Sequence, residues 1–148
     1  MVVTPSVAEG AVAGRDVPVT LSLQTRESEA CTWQVSASTV VVKVVSDGDD
    51  VWTTRQCPQA VTDQAVVIRR AVPTTVQVVW HEARESTEGC TRRADWVLPG
   101  TFTVAAAALG GEPAQADFVL GAPAPETIQV TPKAPKTKKA KKPTTPVN

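Results

Sequence analysis

The residues with the clearest chemical potential in this sequence are three cysteines and one histidine. Cys31, Cys57 and Cys90 share no Cys-x-x-Cys spacing, and His81 is the only histidine among the 148 residues. A zinc site would need His81 as its fourth ligand, and a catalytic triad would need His81 to meet a nucleophile without any recognisable motif. The sequence therefore predicts no metal site, no cofactor site and no catalytic residues, and we expect that the protein is not an enzyme.

Disulfide formation is the other chemistry open to the cysteines, and it implies an oxidising compartment outside the cytosol. Sandwich domains commonly carry one such bond, and Cys57 and Cys90 both border loops in the predicted strand pattern. The first prediction is a bond between Cys31 and Cys57, which closes the shorter loop, and a Cys57–Cys90 bond is the competing prediction. Three buried thiols without any bond are the third alternative.

Four tryptophans supply much of the apolar area, because each can bury on the order of 200 Å². We predict that Trp33, Trp52 and Trp80 pack in the core. Trp96 lies in the longest connection, 82–98, which is polar and is expected at the surface. A core position is still favoured for Trp96 over an exposed position on a binding surface.

Positive charge is concentrated at the C-terminus. Residues 1–125 contain nine Lys and Arg against fourteen Asp and Glu, whereas residues 126–148 contain six Lys against one Glu. Such a segment attracts phosphate polymers, acidic lipids or anionic wall polymers without reading their sequence, although it could equally be a solubilising end. The residues predicted to contact a polyanion are Lys133, Lys136, Lys138, Lys139, Lys141 and Lys142.

The elements that position these residues are predicted to be β-strands. Apolar and polar residues alternate with a period of two in the segments 17–23, 31–35 and 40–44, and Asp47-Gly48 favours a tight hairpin turn. Further strands are predicted over 51–57, 65–70, 74–81, 101–109 and 114–120, where no sustained 3.6-residue spacing appears. About eight short strands without crossover helices predict an all-β fold, an immunoglobulin-like antiparallel β-sandwich with a disordered C-terminal tail.

The chain divides into three parts on composition. Residues 1–15 are predicted to be an extended lead-in and residues 16–121 the sandwich. Residues 122–148 are predicted to be a disordered Pro/Lys-rich basic tail, because they lack the apolar area that would offset the entropy of ordering. No stretch approaches the roughly 20 apolar residues that cross a bilayer, so the chain as written is expected to be soluble.

Two segments resemble an immunoglobulin-like domain of the BsuPI type, a family named for an intracellular proteinase inhibitor of bacilli. They are VVVKVVSDGDDVW at 40–52, similar to the family's turn-then-Trp strand, and LPGTFTV at 98–104, similar to its Pro-Gly-Thr-Tyr strand entry. The resemblance covers about residues 17–120 and implies the sandwich fold. The cysteines and the tail depart from the inhibitor family, and no inhibitory residue is carried over.

A closer similarity is to uncharacterised actinobacterial proteins. It rests on Cys31-Thr32-Trp33, on the spacing of Trp52 and Cys57-Pro58, on Val78-Val79-Trp80 and on the segment 106–113. Those relatives usually carry one membrane-spanning segment ahead of the domain. The similarity implies a sandwich outside the membrane, secreted or held by an anchor that this chain lacks, although a cytoplasmic location is open for the chain as written.

These patterns support three functional hypotheses. The first is a non-catalytic extracytoplasmic binding or structural module of a bacterial cell envelope, with an unknown protein or an anionic envelope polymer as its partner. The alternative is a proteinase inhibitor of the BsuPI type, in which a strand edge or loop occupies a protease cleft. The second alternative is non-specific binding of polyanions or nucleic acid through the lysine tail, and the acidic body argues against nucleic acid.

Overall fold

The computed structural model of this protein describes residues 1–91 and 94–123, and these residues form β-strands joined by turns and two short 3-10 helices. The 3-10 helices are Pro58–Ala60 and His81–Ala83. The strands, in chain order, are β1 Val2–Val7, β2 Val17–Gln24, β3 Ala30–Val35, β4 Val40–Ser46, β5 Asp49–Thr53, β6 Gln64–Arg69, β7 Thr74–Trp80, β8 Gly100–Ala108 and β9 Ala114–Leu120.

Two antiparallel sheets pack face to face, so the predicted immunoglobulin-like sandwich is confirmed. One sheet has the order β1-β2-β7 and the other the order β5-β4-β8-β9. These orders correspond to strands A-B-E and C′-C-F-G of immunoglobulin-like domains. A short parallel bridge between Val12 and Gly121 adds the N-terminal segment to the end of β9.

A two-stranded ribbon of β3 and β6 continues β2 and β7 beyond their own ladder. The Thr25 N–H donates to the Arg69 carbonyl oxygen at 3.2 Å, and the Arg70 N–H donates to the Glu29 carbonyl oxygen at 3.0 Å. On the ribbon, Val35 and Ile68 are buried, whereas Cys31 is exposed. The ribbon therefore carries the first cysteine out of the core.

Most of the core consists of the alternating apolar residues that the sequence pattern predicted, but on β3 only Val35 is fully buried, while Trp33 is partly buried against the core and Cys31 is exposed. Val17, Val19, Leu21 and Leu23 of β2 are all fully buried, as is Trp80 at the end of β7. The ring of Trp80 lies 6.2 to 6.5 Å, centroid to centroid, from three other aromatic rings, those of Trp52, Phe102 and Phe118. This aromatic cluster joins the two sheets at the level where β7 ends.

The prediction that residues 1–15 form only a lead-in is wrong, because β1 lies within them. Val3 and Pro5 of β1 are buried while Thr4 and Ser6 are exposed, which is the alternation of a strand. Pro5 obscured the pattern, since proline usually argues against a strand. It is tolerated here because β1 is at the edge of its sheet.

The predicted return strand 51–57 also ends early, at Thr53. Thr54 is buried, its N–H donates to the Val42 carbonyl oxygen at 2.9 Å, and its hydroxyl oxygen accepts the Val42 N–H at 3.0 Å. The side chain thus satisfies a backbone donor of β4, and the chain turns toward the 3-10 helix Pro58–Ala60. No helix in the described residues has the length and apolar character to span a bilayer.

Candidate functional site

The connection between β7 and β8 begins with strained backbone. Glu82 and Ala83 are consecutive non-glycine residues with φ of 55° and 49°, in the left-handed region that side chains disfavour. A hydrogen bond and burial stabilise this backbone conformation. The Glu82 N–H donates to Asp16 Oδ1 at 2.9 Å, and Ala83 is completely buried. The fold therefore fixes the direction in which the chain leaves β7.

Charged side chains pair with one another around this turn. His81 Nδ1 lies 3.1 Å from Asp16 Oδ1, and His81 Nε2 lies 3.8 Å from Glu82 Oε1. Arg84 Nε donates to the same Glu82 Oε1 at 3.0 Å. Because these groups are partly exposed, each pair contributes no more than about 1 kcal/mol to stability, and their main effect is to orient the Arg84 side chain.

Arg84, near the start of the connection between β7 and β8, contacts residues near its end. Its guanidinium carbon lies 3.5 Å from the centroid of the Trp96 ring, and its Nη1 donates to the Ala94 carbonyl oxygen at 3.0 Å. The Arg84 carbonyl oxygen in turn accepts the Nε1–H of the buried Trp80 at 2.8 Å. The prediction of a core position for Trp96 is wrong, because 49% of this residue is exposed and it forms a cation–π contact at the surface.

The disulfide bond joins Cys57 to Cys90, and Cys31 is an exposed free thiol. The first prediction, Cys31–Cys57, is therefore wrong, and the competing prediction is correct. The reason is topological: β3 pairs with β6 and carries Cys31 onto the ribbon. Ser86 bonds instead to the segment around β5, through its N–H to the Val51 carbonyl oxygen at 3.1 Å, and this brings the 86–90 segment next to Cys57.

A cleft of about 360 Å³ opens beside this disulfide. Trp52, Ala60, Val79 and the disulfide are its apolar lining, and the polar lining residues are Gln59, Thr62, His81, Arg84, Glu85 and Thr91. A cleft of this size that combines an apolar surface with convergent polar groups has the character of a binding site for a small group. The nearby Ser86 hydroxyl is already engaged, because it donates to Gln56 Oε1 at 2.6 Å and accepts the Thr53 N–H at 3.1 Å.

The structure brings together some predicted residues and leaves others apart. Cys57 and Cys90 line the cleft, Cys31 does not, and the six tail lysines lie outside the described residues. Val79 and Arg84 also line the cleft, and nothing in the sequence marks them, because an alternating strand position and a single arginine in a polar loop carry no distinctive pattern. Within residues 1–91 and 94–123, no three His, Cys, Asp or Glu side chains group as a metal site.

No protein-family model matches this sequence, and no curated protein matches it.

Proposed function

We propose that this chain is a non-catalytic binding module that works outside the cytoplasm, in the cell envelope, and that its binding site is the cleft beside the Cys57–Cys90 disulfide. The observation that carries the proposal is the construction of this cleft. Val79 of β7 lines the cleft, and the two loop residues Cys57 and Cys90, which also line it, are held together by a covalent bond. A rigid, preformed cleft lowers the entropic cost of binding.

The chemistry around His81 supports binding rather than catalysis. Its two ring nitrogens face Asp16 and Glu82, which also hold backbone and Arg84 donors in place. The carboxylates of Asp16 and Glu82 therefore position the connection between β7 and β8. The disulfide is compatible with an extracytoplasmic location, since such bonds persist in oxidising compartments.

The lysine tail fits the same proposal as an electrostatic tether to an anionic envelope polymer. Pro123, the last described residue, lines a second cleft together with Asp16 and Gln77. Asp16 also contacts His81, which lines the first cleft. The tail therefore begins on the side of the domain that carries the candidate site, so a tethered polymer would keep the cleft close to the envelope.

A fragment screen followed by nuclear magnetic resonance tests the cleft. We expect weakly binding apolar fragments to shift the amide signals of Val79, His81 and Thr62 in a saturable manner. The Ala60→Leu variant, which fills the cleft, should lose at least ten-fold in fragment affinity. The matched Ala65→Leu variant adds the same volume at an exposed position of β6 and should bind as the natural protein does. Equal affinity of the two variants would remove the cleft from the proposal.

A second candidate, a proteinase inhibitor, is favoured by one observation. Leu98 is 77% exposed. It directly follows the segment 94–97, which is held by its contacts with Arg84 and by the hydrogen bond from the Val97 N–H to the Ala83 carbonyl oxygen. An exposed apolar residue on a braced segment has the form of a group that enters a protease pocket. Turnover by subtilisin-like proteases distinguishes the candidates: nanomolar inhibition that Leu98→Asp abolishes would favour the inhibitor, whereas unchanged turnover leaves the binding module.

A further inference from the structure

We propose that the open edge of β7 binds an extended peptide segment of a partner protein. The peptide would add to the β1-β2-β7 sheet as a fourth strand and place one apolar side chain in the cleft. This inference rests on the proposed function, since it uses the same cleft, and it names the class of ligand. The mode is strand addition, in which backbone hydrogen bonds give affinity and a side-chain pocket gives specificity.

The edge of β7 differs from the other edges of the two main sheets. β1 carries Pro5, the edge of β5 is bonded by Ser86, and the end of β9 is bonded by Ala11 and Ala13 through Gly121. Such features block the addition of foreign strands. In the described part of the chain, β7 forms a ladder only with β2 and carries neither a proline nor a charged residue. At its start the Thr74 hydroxyl donates to the Val67 carbonyl oxygen of β6 at 2.7 Å, so the edge available to a peptide begins at Thr75.

Two prolines indicate which backbone groups of β7 face this edge. Antiparallel ladders alternate between hydrogen-bonded and non-hydrogen-bonded pairs, and proline, which has no N–H, fits the second kind. Pro5 pairs with Leu21, so Leu21 should direct its own backbone groups away from β1 and toward β7. Pro18 lies three residues earlier on β2 and should point the opposite way, so its pair with Val79 is also non-hydrogen-bonded.

The two prolines therefore agree on one register. Trp80, Val78 and Val76 bond to β2, and the alternate residues of β7 direct their N–H and C=O groups to the open edge. A row of donors and acceptors at this spacing is complementary to the backbone of an extended peptide. The residues with outward backbone groups are Thr75, Gln77 and Val79.

The cleft lies where a strand added to this edge would place its side chains. Val79 lines the cleft together with Trp52, Ala60 and the disulfide, so the cleft adjoins β7 at the Val79 end. A strand added 4.7 to 4.9 Å from β7 directs alternate side chains to the same face. The occupant of the cleft is thus an apolar side chain of the peptide, flanked by residues whose side chains face solvent.

A displayed library of random nonapeptides tests the inference with the full chain as bait. We expect selected peptides to share one apolar residue in an alternating sequence and to bind with micromolar affinity. Binding should slow hydrogen exchange at the amides of Thr75, Gln77 and Val79. The β3 edge is the internal comparison, because neither cleft includes a β3 residue.

Two pairs of variants separate backbone from side-chain effects. Gln77→Pro removes one outward N–H without removing a β2 ladder bond and should weaken binding at least ten-fold, whereas Gln77→Ala keeps the N–H and should stay within three-fold. Val79→Lys should weaken binding at least ten-fold, and Val67→Lys, at a similarly exposed valine of β6, should stay within three-fold. The lysine pair does not depend on a proline being tolerated.

Three results would overturn the inference: no peptide that binds saturably, protection of β3 amides in place of β7 amides, or equal binding by Val79→Lys and Val67→Lys. These results leave the fragment experiment untouched. Fragments that bind the cleft of a protein whose β7 edge takes no peptide would retain the proposed function and reject only the peptide.

Discussion

At the scale of single residues, the three cysteines are expected to contribute very differently to stability. The Cys57–Cys90 bond spans 33 residues, and a loop of that length corresponds to about 3 to 4 kcal/mol of unfolding free energy through restriction of the unfolded chain. We expect Cys57→Ala/Cys90→Ala to lose about that much in urea unfolding. Cys31→Ser, at an exposed thiol, should change it by less than about 0.5 kcal/mol. An equal loss in both variants would contradict the bonding observed here.

The tryptophans offer a second contrast between residues of one type. Trp80 is fully buried, packs against three aromatic rings and donates to the Arg84 carbonyl oxygen, so Trp80→Phe leaves a cavity and an unpaired acceptor. We expect a loss of about 2 kcal/mol in unfolding free energy. Trp96→Phe keeps an aromatic face under Arg84 and should cost less than about 1 kcal/mol. Thermal unfolding measures both, and a larger loss for Trp96→Phe would place that ring in the core.

At the scale of elements, the β4–β5 hairpin depends on its turn. Asp47 and Gly48 have φ of 51° and 85°, the two positive values of a type I′ turn. A Cβ at Gly48 would meet nothing within 4 Å, so Gly48→Ala should cost about 1 kcal/mol through backbone strain alone. Gly100→Ala is the control, because its φ is not positive and the new Cβ would make an ordinary 3.8 Å contact with Phe102. Equal stability of the two variants in urea would argue against the I′ turn.

Local patterns predicted most of the elements, and non-local contacts account for the failures. The alternation in β2, β4 and β7 and the Asp47-Gly48 turn are properties of short segments, and all were predicted. The ribbon that carries Cys31 away from Cys57, and the stacking of Arg84 on Trp96, depend on which strands pair. Such pairings involve residues far apart in sequence, and no local pattern in a single sequence predicts them.

At the scale of the whole molecule, opposite charges are separated along the chain. Residues 1–125 have a net charge of −5 and residues 126–148 of +5, so the formal net charge of zero hides two strongly charged parts. The acidic domain repels polyanions while the lysines attract them. Any affinity for an anionic polymer should therefore depend on the tail, and the tail should act from the side of the domain where Pro123 lies beside Asp16.

Deletion of residues 124–148 tests this division of roles. We expect the free energy of unfolding to change by less than about 0.5 kcal/mol, because the sheets and the disulfide lie within residues 1–123. The truncated protein should no longer be retained on an immobilised anionic wall polymer. The Lys43→Ala variant, which removes a positive charge from the domain, should still be retained. For the full chain, the logarithm of the binding constant should fall linearly with the logarithm of the salt concentration, with a slope proportional to the number of lysines engaged, as counterion release requires. Retention by the truncated protein would assign polyanion binding to the domain, and a marked preference for duplex DNA over wall polymer would return nucleic acid as the partner.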